Sequence, residues 1–502
     1  MSDKVEYSYR TIFYEFWFGF HAMIGMIGPG MNIGYSSVAL PVLTSDKNET
    51  IGSNYLYDNE QLATWFASII AIANLIGCLF CGILMKTGRK NSMIFVSFLC
   101  TIGWLVIATS NNIPQLLIGR FITGFSTGVV STPTIVYLAE ISLPQHRIIM
   151  TTSSNFTFSI GVMLIYLLGF IIPNNWRLIA YLAALIPAIS TICIAIFIPE
   201  SPMWLLHKGN EKKARKSLFK IRGLKIETEE FKDEFKKMID YNKKIIIEPI
   251  NSIFNGIDNV ELNKVNKNSI DSSTRSNSSS RLSVALRSFL KTSKKPDVWK
   301  PFIILNTYFF FQQFCGIASV VAYAVDFVEQ SGVIADPFFI TALIGMLQII
   351  AALILVLMSA KIGTRPISLI SGVGMSISLA FLIIYLKFIK GEHENYTSIP
   401  IICLFTFVLT GQFGFAAIPW TLLGELYPTK YVNILGPLTT CLGGFFNFIT
   451  IQIYPSLVDI GMITTLCIYC LTSIIATIFI ALFLPETRGK TNHEIEEKFR
   501  KK

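Results

Sequence analysis

Stretches of roughly twenty apolar residues dominate this chain, each long enough to cross a hydrocarbon core about 30 Å thick as a helix. We read twelve of them, at about 17–40, 61–85, 91–110, 114–139, 152–172, 178–198, 301–325, 337–359, 366–389, 399–423, 435–456 and 461–484. Composition agrees. Of 502 residues, 52% are hydrophobic and only 15% are charged, against about 25% charged in a soluble protein. The opening MSDKVEYSYR is polar, and the apolar run after it is too long and too Gly-rich for a cleaved leader.

A short motif occurs twice, each time where a block of six spans ends: Pro199-Glu200-Ser201-Pro202-Met203-Trp204-Leu205 and Pro485-Glu486-Thr487-Arg488-Gly489-Lys490. A Pro-Glu step stops a helix and places a carboxylate in water. Its recurrence after each block points to a doubled six-helix unit. Two facing six-helix bundles form an architecture that opens to one side of a membrane and then the other. We therefore divide the chain into a bundle at 1–198, a linker at 199–299, a second bundle at 300–485 and a tail at 486–502.

Lys and Arg collect on one side of the spans, at Lys86, Arg89, Lys90, Arg147, Lys361, Arg365 and Lys430, together with the linker and the tail. The opposite loops hold few, mainly Lys47, Arg177, Lys387 and Lys390. The positive-inside rule then puts both termini in the cytoplasm and accounts for the formal charge of +10 without a nucleic acid. The sequons at Asn48 and Asn395 fall in outer loops and are candidate glycosylation sites. All nine cysteines lie in or beside apolar spans, so no extracellular disulfide is expected. In the linker, 204–222 and 227–239 read as amphipathic helices and 283–292 as a third. The Asn- and Ser-rich 263–283 reads as disordered, with Ser278 and Ser283 as possible phosphorylation sites.

The run ITGFSTGVVSTPTIVYLAEISLPQHR at 122–147 carries Gly124 and Gly128, which allow span four to pack closely on a neighbour, and ends in Glu140 and Arg147. With Gly88-Arg89-Lys90, Gly119-Arg120-Phe121, PESPMWL, Gln312-Gln313-Phe314-Cys315-Gly316-Ile317, Ile418-Pro419-Trp420 and PETRGK, in this order along twelve spans, the chain resembles the sugar porter family of the major facilitator superfamily. Within that family it looks most like facilitative glucose transporters and insect trehalose or hexose carriers. The resemblance covers nearly the whole chain. It implies an all-α membrane protein of twelve transmembrane helices in two six-helix bundles with a cytoplasmic helical insert. It also implies transport of a small neutral sugar by a monomer in a lipid bilayer, at the plasma membrane, without a cofactor.

A sugar presents neutral hydroxyls, each a donor and an acceptor, so amides suit it better than fixed charges. A flat ring can cover its apolar face. Polar groups inside spans are costly and mark pathways. The candidates are Asn32, Asn155, Gln312, Gln313, Gln348, Gln412, Trp420 and Asn447. By resemblance, Gln312 and Gln313 match the paired glutamines that grip sugar hydroxyls, and Trp420 matches the family tryptophan. Asn155 takes the place of a Gln and Gln348 that of an Asn. Asn447 belongs to an Asn-Trp pair whose Trp is here Phe448. Ala318-Ser319 stands where the family has an Asn after Ile317, and Gln412 replaces a carboxylate.

Proton-driven relatives hold an Asp in span one where this chain has Asn32. An amide cannot relay a proton, so facilitated diffusion is expected. Proton symport, a sugar sensor on the same fold and a polyol carrier are the alternatives. An enzyme is not, because no metal cluster, nucleotide loop or nucleophile constellation stands out. Resemblance also implies an inner gate of Arg89, Glu140, Arg147, Glu200, Arg365, Glu425 and Glu486. Met85, Met203, Ala360 and Thr364 replace charged members of that gate.

Overall fold

The computed structural model describes residues 9–44, 60–143, 145–242, 296–331, 333–359, 362–389, 398–427, 432–487 and 499. Asn48, Asn395, Ser278, Ser283, Ala360, the 263–283 segment, the 283–292 helix and nearly all of the tail lie outside them. Among the described residues the chain is helical, with no strand. Span one consists of α1 (Tyr9–Ile24) and α2 (Ile27–Leu43). Spans two to six are α3 (Glu60–Leu84), α4 (Arg89–Ala108), α5 (Ile113–Ile141), α6 (Arg147–Ile171) and α7 (Trp176–Phe197). The insert follows as α8 (Pro202–His207), α9 (Glu211–Ile221) and α10 (229–242). Span seven is built from α11 (Pro296–Phe314), α12 (Ile317–Ala322) and α13 (Ala324–Gln330). Spans eight and nine are α14 (Pro337–Ser359) and α15 (Thr364–Ile384), span ten is α16 (Ser398–Phe413) with α17 (Ile418–Leu426), and spans eleven and twelve are α18 (Val432–Ile460) and α19 (Met462–Phe483).

Ten of the spans are long and apolar enough to cross a membrane by length and composition. Spans one and seven complete the twelve as broken helices. Span one breaks at Gly25-Met26 and begins well before the expected position 17, so Glu15 lies inside it. Span seven breaks at Gly316, whose φ of +92° is left-handed and whose missing side chain leaves room for the ring of Tyr469. Span ten breaks at 414–417, just before Pro419 near the start of α17. The close packing expected of span four holds. A side chain at Gly124 would come within 2.9 Å of the Ile70 backbone, and one at Gly128 would collide with the Asn74 carbonyl.

Two six-helix bundles result, and the bonds that join them share one end. Tyr166 Oη donates to the Val321 carbonyl at 2.7 Å, the Val325 amide donates to Ser37 Oγ at 3.0 Å, and Ser68 Oγ donates to Gln452 Oε1 at 2.6 Å. Phe170 packs on Phe339 with ring centroids 5.4 Å apart. All of these residues lie in the halves of their helices remote from the insert.

The insert differs from the expected pair of helices. The segment 204–222 is split, because Gly209 turns the chain with φ +72° between α8 and α9. Leu205, Leu206, Ala214, Leu218, Phe231 and Phe235 form a small core of its own. Arg222, almost fully buried, fastens that core to the first bundle. Its Nη1 donates to the Ile141 carbonyl at 2.9 Å, its guanidinium pairs with Glu234, and its carbonyl accepts from Thr11 Oγ1 at 3.1 Å.

Candidate functional site

Span seven ends its first helix with two adjacent glutamines, and the break that follows turns both toward neighbouring spans. Asn447 Nδ2 on α18 donates to Gln313 Oε1 at 2.8 Å. Gln313 Nε2 donates to Gln312 Oε1 at 3.4 Å, and Gln312 Nε2 donates to the Ala416 carbonyl at 2.7 Å. Ala416 lies in the break of span ten, where an interrupted helix frees its carbonyl for such a bond. A continuous chain of amides thus joins spans seven, ten and eleven. Each amide offers donors and acceptors that can be exchanged for hydroxyl groups.

Aromatic rings border this chain. Phe310 stacks on Phe314 at 4.4 Å and meets Phe446, next to Asn447, edge-on at 5.5 Å. Trp420 is 41% exposed and lies edge-on to Phe309 at 5.0 Å. Phe309 precedes Gln312 by one helical turn. Phe448, which stands where the family has Trp, turns to the other bundle and meets Trp65 at 5.9 Å. Gln348 is almost fully buried in span eight, and its Nε2 has no hydrogen-bond partner. Asn155 and Gln412 are half-buried in spans five and ten.

Asn32 belongs to a second cluster. Its Oδ1 accepts from Arg120 Nη1 at 3.1 Å and from Thr123 Oγ1 at 2.9 Å, and its Nδ2 donates to Thr127 Oγ1 at 3.1 Å. Arg120 is wholly buried. It also donates to the carbonyls of Asn32 at 3.0 Å and Phe66 at 3.3 Å and to Ser36 Oγ, and it lies over the Phe66 ring at 4.6 Å. All these acceptors are neutral. Sequence reading quoted Arg120 only as part of a motif; a lone Arg inside an apolar span was itself the signal.

At the insert end, Arg89 grips Glu140 with Nη2 at 2.9 Å and Nε at 3.2 Å. Glu200 Oε1 accepts from the backbone N–H groups of Arg89 at 2.8 Å and Lys90 at 3.1 Å, the first turn of α4. A carboxylate there neutralises the positive end of the helix dipole. Gly88, with φ +125°, leaves the space that the carboxylate fills. The Glu486 carboxylate lies against Gly363, the residue before the first turn of α15. Ser201 N–H donates to Glu200 Oε1 at 2.9 Å and Thr487 N–H to Glu486 Oε1 at 3.0 Å.

The remaining gate candidates diverge. Arg365 donates to the Ala481 carbonyl, while its Nε and Glu425 Oε2 are buried without hydrogen-bond partners. Thr364 Oγ1 lies 3.0 Å from Thr487 Oγ1, a neutral link where the family has Arg. Met203 packs on the insert core. Arg147 is exposed at the start of α6, outside the network. Its neighbour His146 instead pairs with the buried Glu15, Nδ1 to Oε2 at 3.1 Å, and Glu15 Oε1 accepts from the Leu143 amide at 2.9 Å. Sequence reading missed both, because span one was drawn too short.

With this geometry, the fold and the site define a two-bundle membrane carrier. The model of the family described as "Sugar (and other) transporter" matches residues 18–253 and 242–499. The chain belongs to that family, whose members are not enzymes. It is 28% identical over 473 residues to a facilitated trehalose transporter of Culex quinquefasciatus, covering 93% of this chain and 83% of the relative. It is 29% identical over 472 residues to a facilitated trehalose transporter of Apis mellifera ligustica, covering 93% and 85%. Among solved structures, the xylose transporter XylE from E. coli in an inward-open conformation aligns with a TM-score of 0.71 at 18% identity, covering 96% of this chain and 99% of XylE. The same protein, a proton:xylose symporter bound to 6-bromo-6-deoxy-D-glucose, aligns with a TM-score of 0.72.

Proposed function

We propose that this chain carries a small neutral sugar, a hexose or trehalose, down its gradient by alternating access. The observation that carries the reading is the chain of amides from Asn447 through Gln313 and Gln312 to the Ala416 carbonyl. It joins three spans by neutral bonds that hydroxyl groups can replace. Gln348 adds a buried amide with an unused donor. Trp420 and the phenylalanines around it supply the flat faces a pyranose ring needs. Names of the insect relatives favour trehalose or a related sugar.

Uncoupled transport is supported by Asn32. The buried cation beside it, Arg120, is hydrogen-bonded by neutral acceptors, and none of them carries a proton that titrates. In this reading the insert faces the cytoplasm, the protein works as a monomer at the plasma membrane, and the conformation is inward-facing. The cross-bundle bonds of Ser37, Ser68 and Tyr166 then form the closed outer side. Counterflow in proteoliposomes tests the substrate class. Labelled glucose, fructose or trehalose should exchange against unlabelled sugar, whereas exchange of a polyol but of no sugar would overturn the reading.

A further inference from the structure

Where α7 ends, two lysines from different elements close on the same turn. Lys90 Nζ, from the first turn of α4, donates to the Ala195 carbonyl at 2.8 Å. Lys220 Nζ, from the last turn of α9, donates to the Phe197 carbonyl at 3.4 Å. Lys220 Nζ also lies 5.8 Å from the centre of the Phe18 ring, which brings α1 to the same corner. Both carbonyls belong to the last turn of α7, a helix end that carries only about half a negative charge. Two full positive charges exceed what it supplies. Among the described residues neither ammonium forms an ion pair. Glu200, the acid beside them, is turned to the backbone N–H groups of Arg89, Lys90 and Ser201. Each ammonium has three donors and uses one on its carbonyl, so donors remain on both.

The surroundings suit a membrane surface. Leu185, Ile189, Ile192 and Ile196 are exposed and recur at helical spacing, so they form one apolar stripe along α7 that ends beside the two carbonyls. Trp17 of α1 is 40% exposed and lies edge-on to Phe197 at 6.1 Å, as befits a ring at the level of lipid headgroups. One turn back on the same face of α9, Lys216 adds an exposed cation.

We propose that Lys90 and Lys220 bind the headgroup phosphate of an anionic phospholipid whose acyl chains lie along the α7 stripe, and that this lipid ties the insert to the first bundle. Lys90 belongs to the bundle and Lys220 to the insert, so one phosphate held by both bridges the two. A zwitterionic lipid carries its own cation beside the phosphate, which opposes the lysines; a headgroup of net negative charge is selected. In the cytoplasmic orientation proposed above, the leaflet at the insert is the one that holds anionic lipids.

The test uses the full chain in detergent with added phosphatidylserine, phosphatidylcholine or inorganic phosphate. Native mass spectrometry should find phosphatidylserine adducts that phosphatidylcholine does not match, and the thermal midpoint should rise with phosphatidylserine alone. Lys90→Gln and Lys220→Gln should each weaken phosphatidylserine binding about fivefold and together about thirtyfold, the factors for one and two lysines at an anionic surface. Lys90→Arg with Lys220→Arg should retain binding, which separates lost charge from lost fold. Lys236→Gln with Lys237→Gln, an equal loss of charge on α10, should leave binding intact. Hydrogen exchange in α9 should slow when phosphatidylserine is bound. Equal stabilisation by phosphatidylcholine or by inorganic phosphate, unchanged binding in the double Gln variant at 90 and 220, equal loss in the α10 variant, or unaltered exchange in α9 would overturn the proposal. None of these readouts involves the carried solute, so they stand whatever it proves to be.

Discussion

Asn32 Oδ1 accepts a hydrogen bond from Arg120 Nη1 at 3.1 Å, deep in the first bundle and fully shielded from solvent. A carboxylate at position 32 would turn that contact into a buried ion pair, which the wild-type chain lacks. Breaking such pairs costs about 3–5 kcal/mol because a charge is left uncompensated. Asn32→Asp should therefore raise the thermal midpoint of the detergent-purified protein. Arg120→Leu should lower it, since stranded acceptors cost about 1–3 kcal/mol each. Fluorescence-detected thermal unfolding measures both. A lowered midpoint in Asn32→Asp would mean that desolvating the new carboxylate costs more than its pairing with Arg120 returns.

Gln312 sits in the middle of the amide chain, so its removal frees Gln313 on one side and the Ala416 carbonyl on the other. Gln312→Ala should weaken sugar uptake by about tenfold or more, for a lost bond of about 1–3 kcal/mol, while the protein still reaches the membrane. Trp420→Ala leaves the amides bonded and should have the smaller effect. Uptake kinetics with surface quantification decide this, and unchanged kinetics in Gln312→Ala would remove that residue from the site.

Glu200 and Glu486 each lie against a glycine that precedes a helix, but the two glycines differ. Gly88 has φ +125°, a conformation L side chains avoid, whereas Gly363 has φ −68°. Gly88→Ala therefore strains the backbone and expels the Glu200 carboxylate, while Gly363→Ala only displaces that of Glu486. We expect Gly88→Ala to lower thermal stability more than Gly363→Ala. Glu200→Ala should cost about 0.5–2 kcal/mol, the range for losing a helix N-cap. Equal losses in the two glycine variants would contradict the assignment.

Much of this architecture was legible in the apolar pattern, since span length is set by bilayer thickness and the repeated Pro-Glu step marks where each bundle ends. Gly124 and Gly128 announced the close packing of span four. What pattern could not show was interruption. Breaks at Gly25-Met26, Gly316 and 414–417 depend on what the helix meets, such as the Tyr469 ring under Gly316. They also free the Ala416 carbonyl that completes the amide chain. Glu15 escaped notice because span one was read from about position 17, whereas the His146 contact and the Leu143 amide satisfy it inside the span. The equivalence of Glu200 and Glu486 was visible as a motif, but the bonds of Glu200 to a helix N-terminus were not.

Energy coupling is the sharpest point of the proposed function. A symporter needs a group whose protonation changes during the cycle and is felt at the sugar site. Asn32 cannot titrate, and Arg120 beside it is held by neutral acceptors. The direct measurement is sugar accumulation in proteoliposomes under an imposed inward proton gradient. The account predicts that the internal concentration rises only to the external one, at a rate that a protonophore leaves unchanged. Accumulation above that level, abolished by the protonophore, would contradict it and establish proton symport instead.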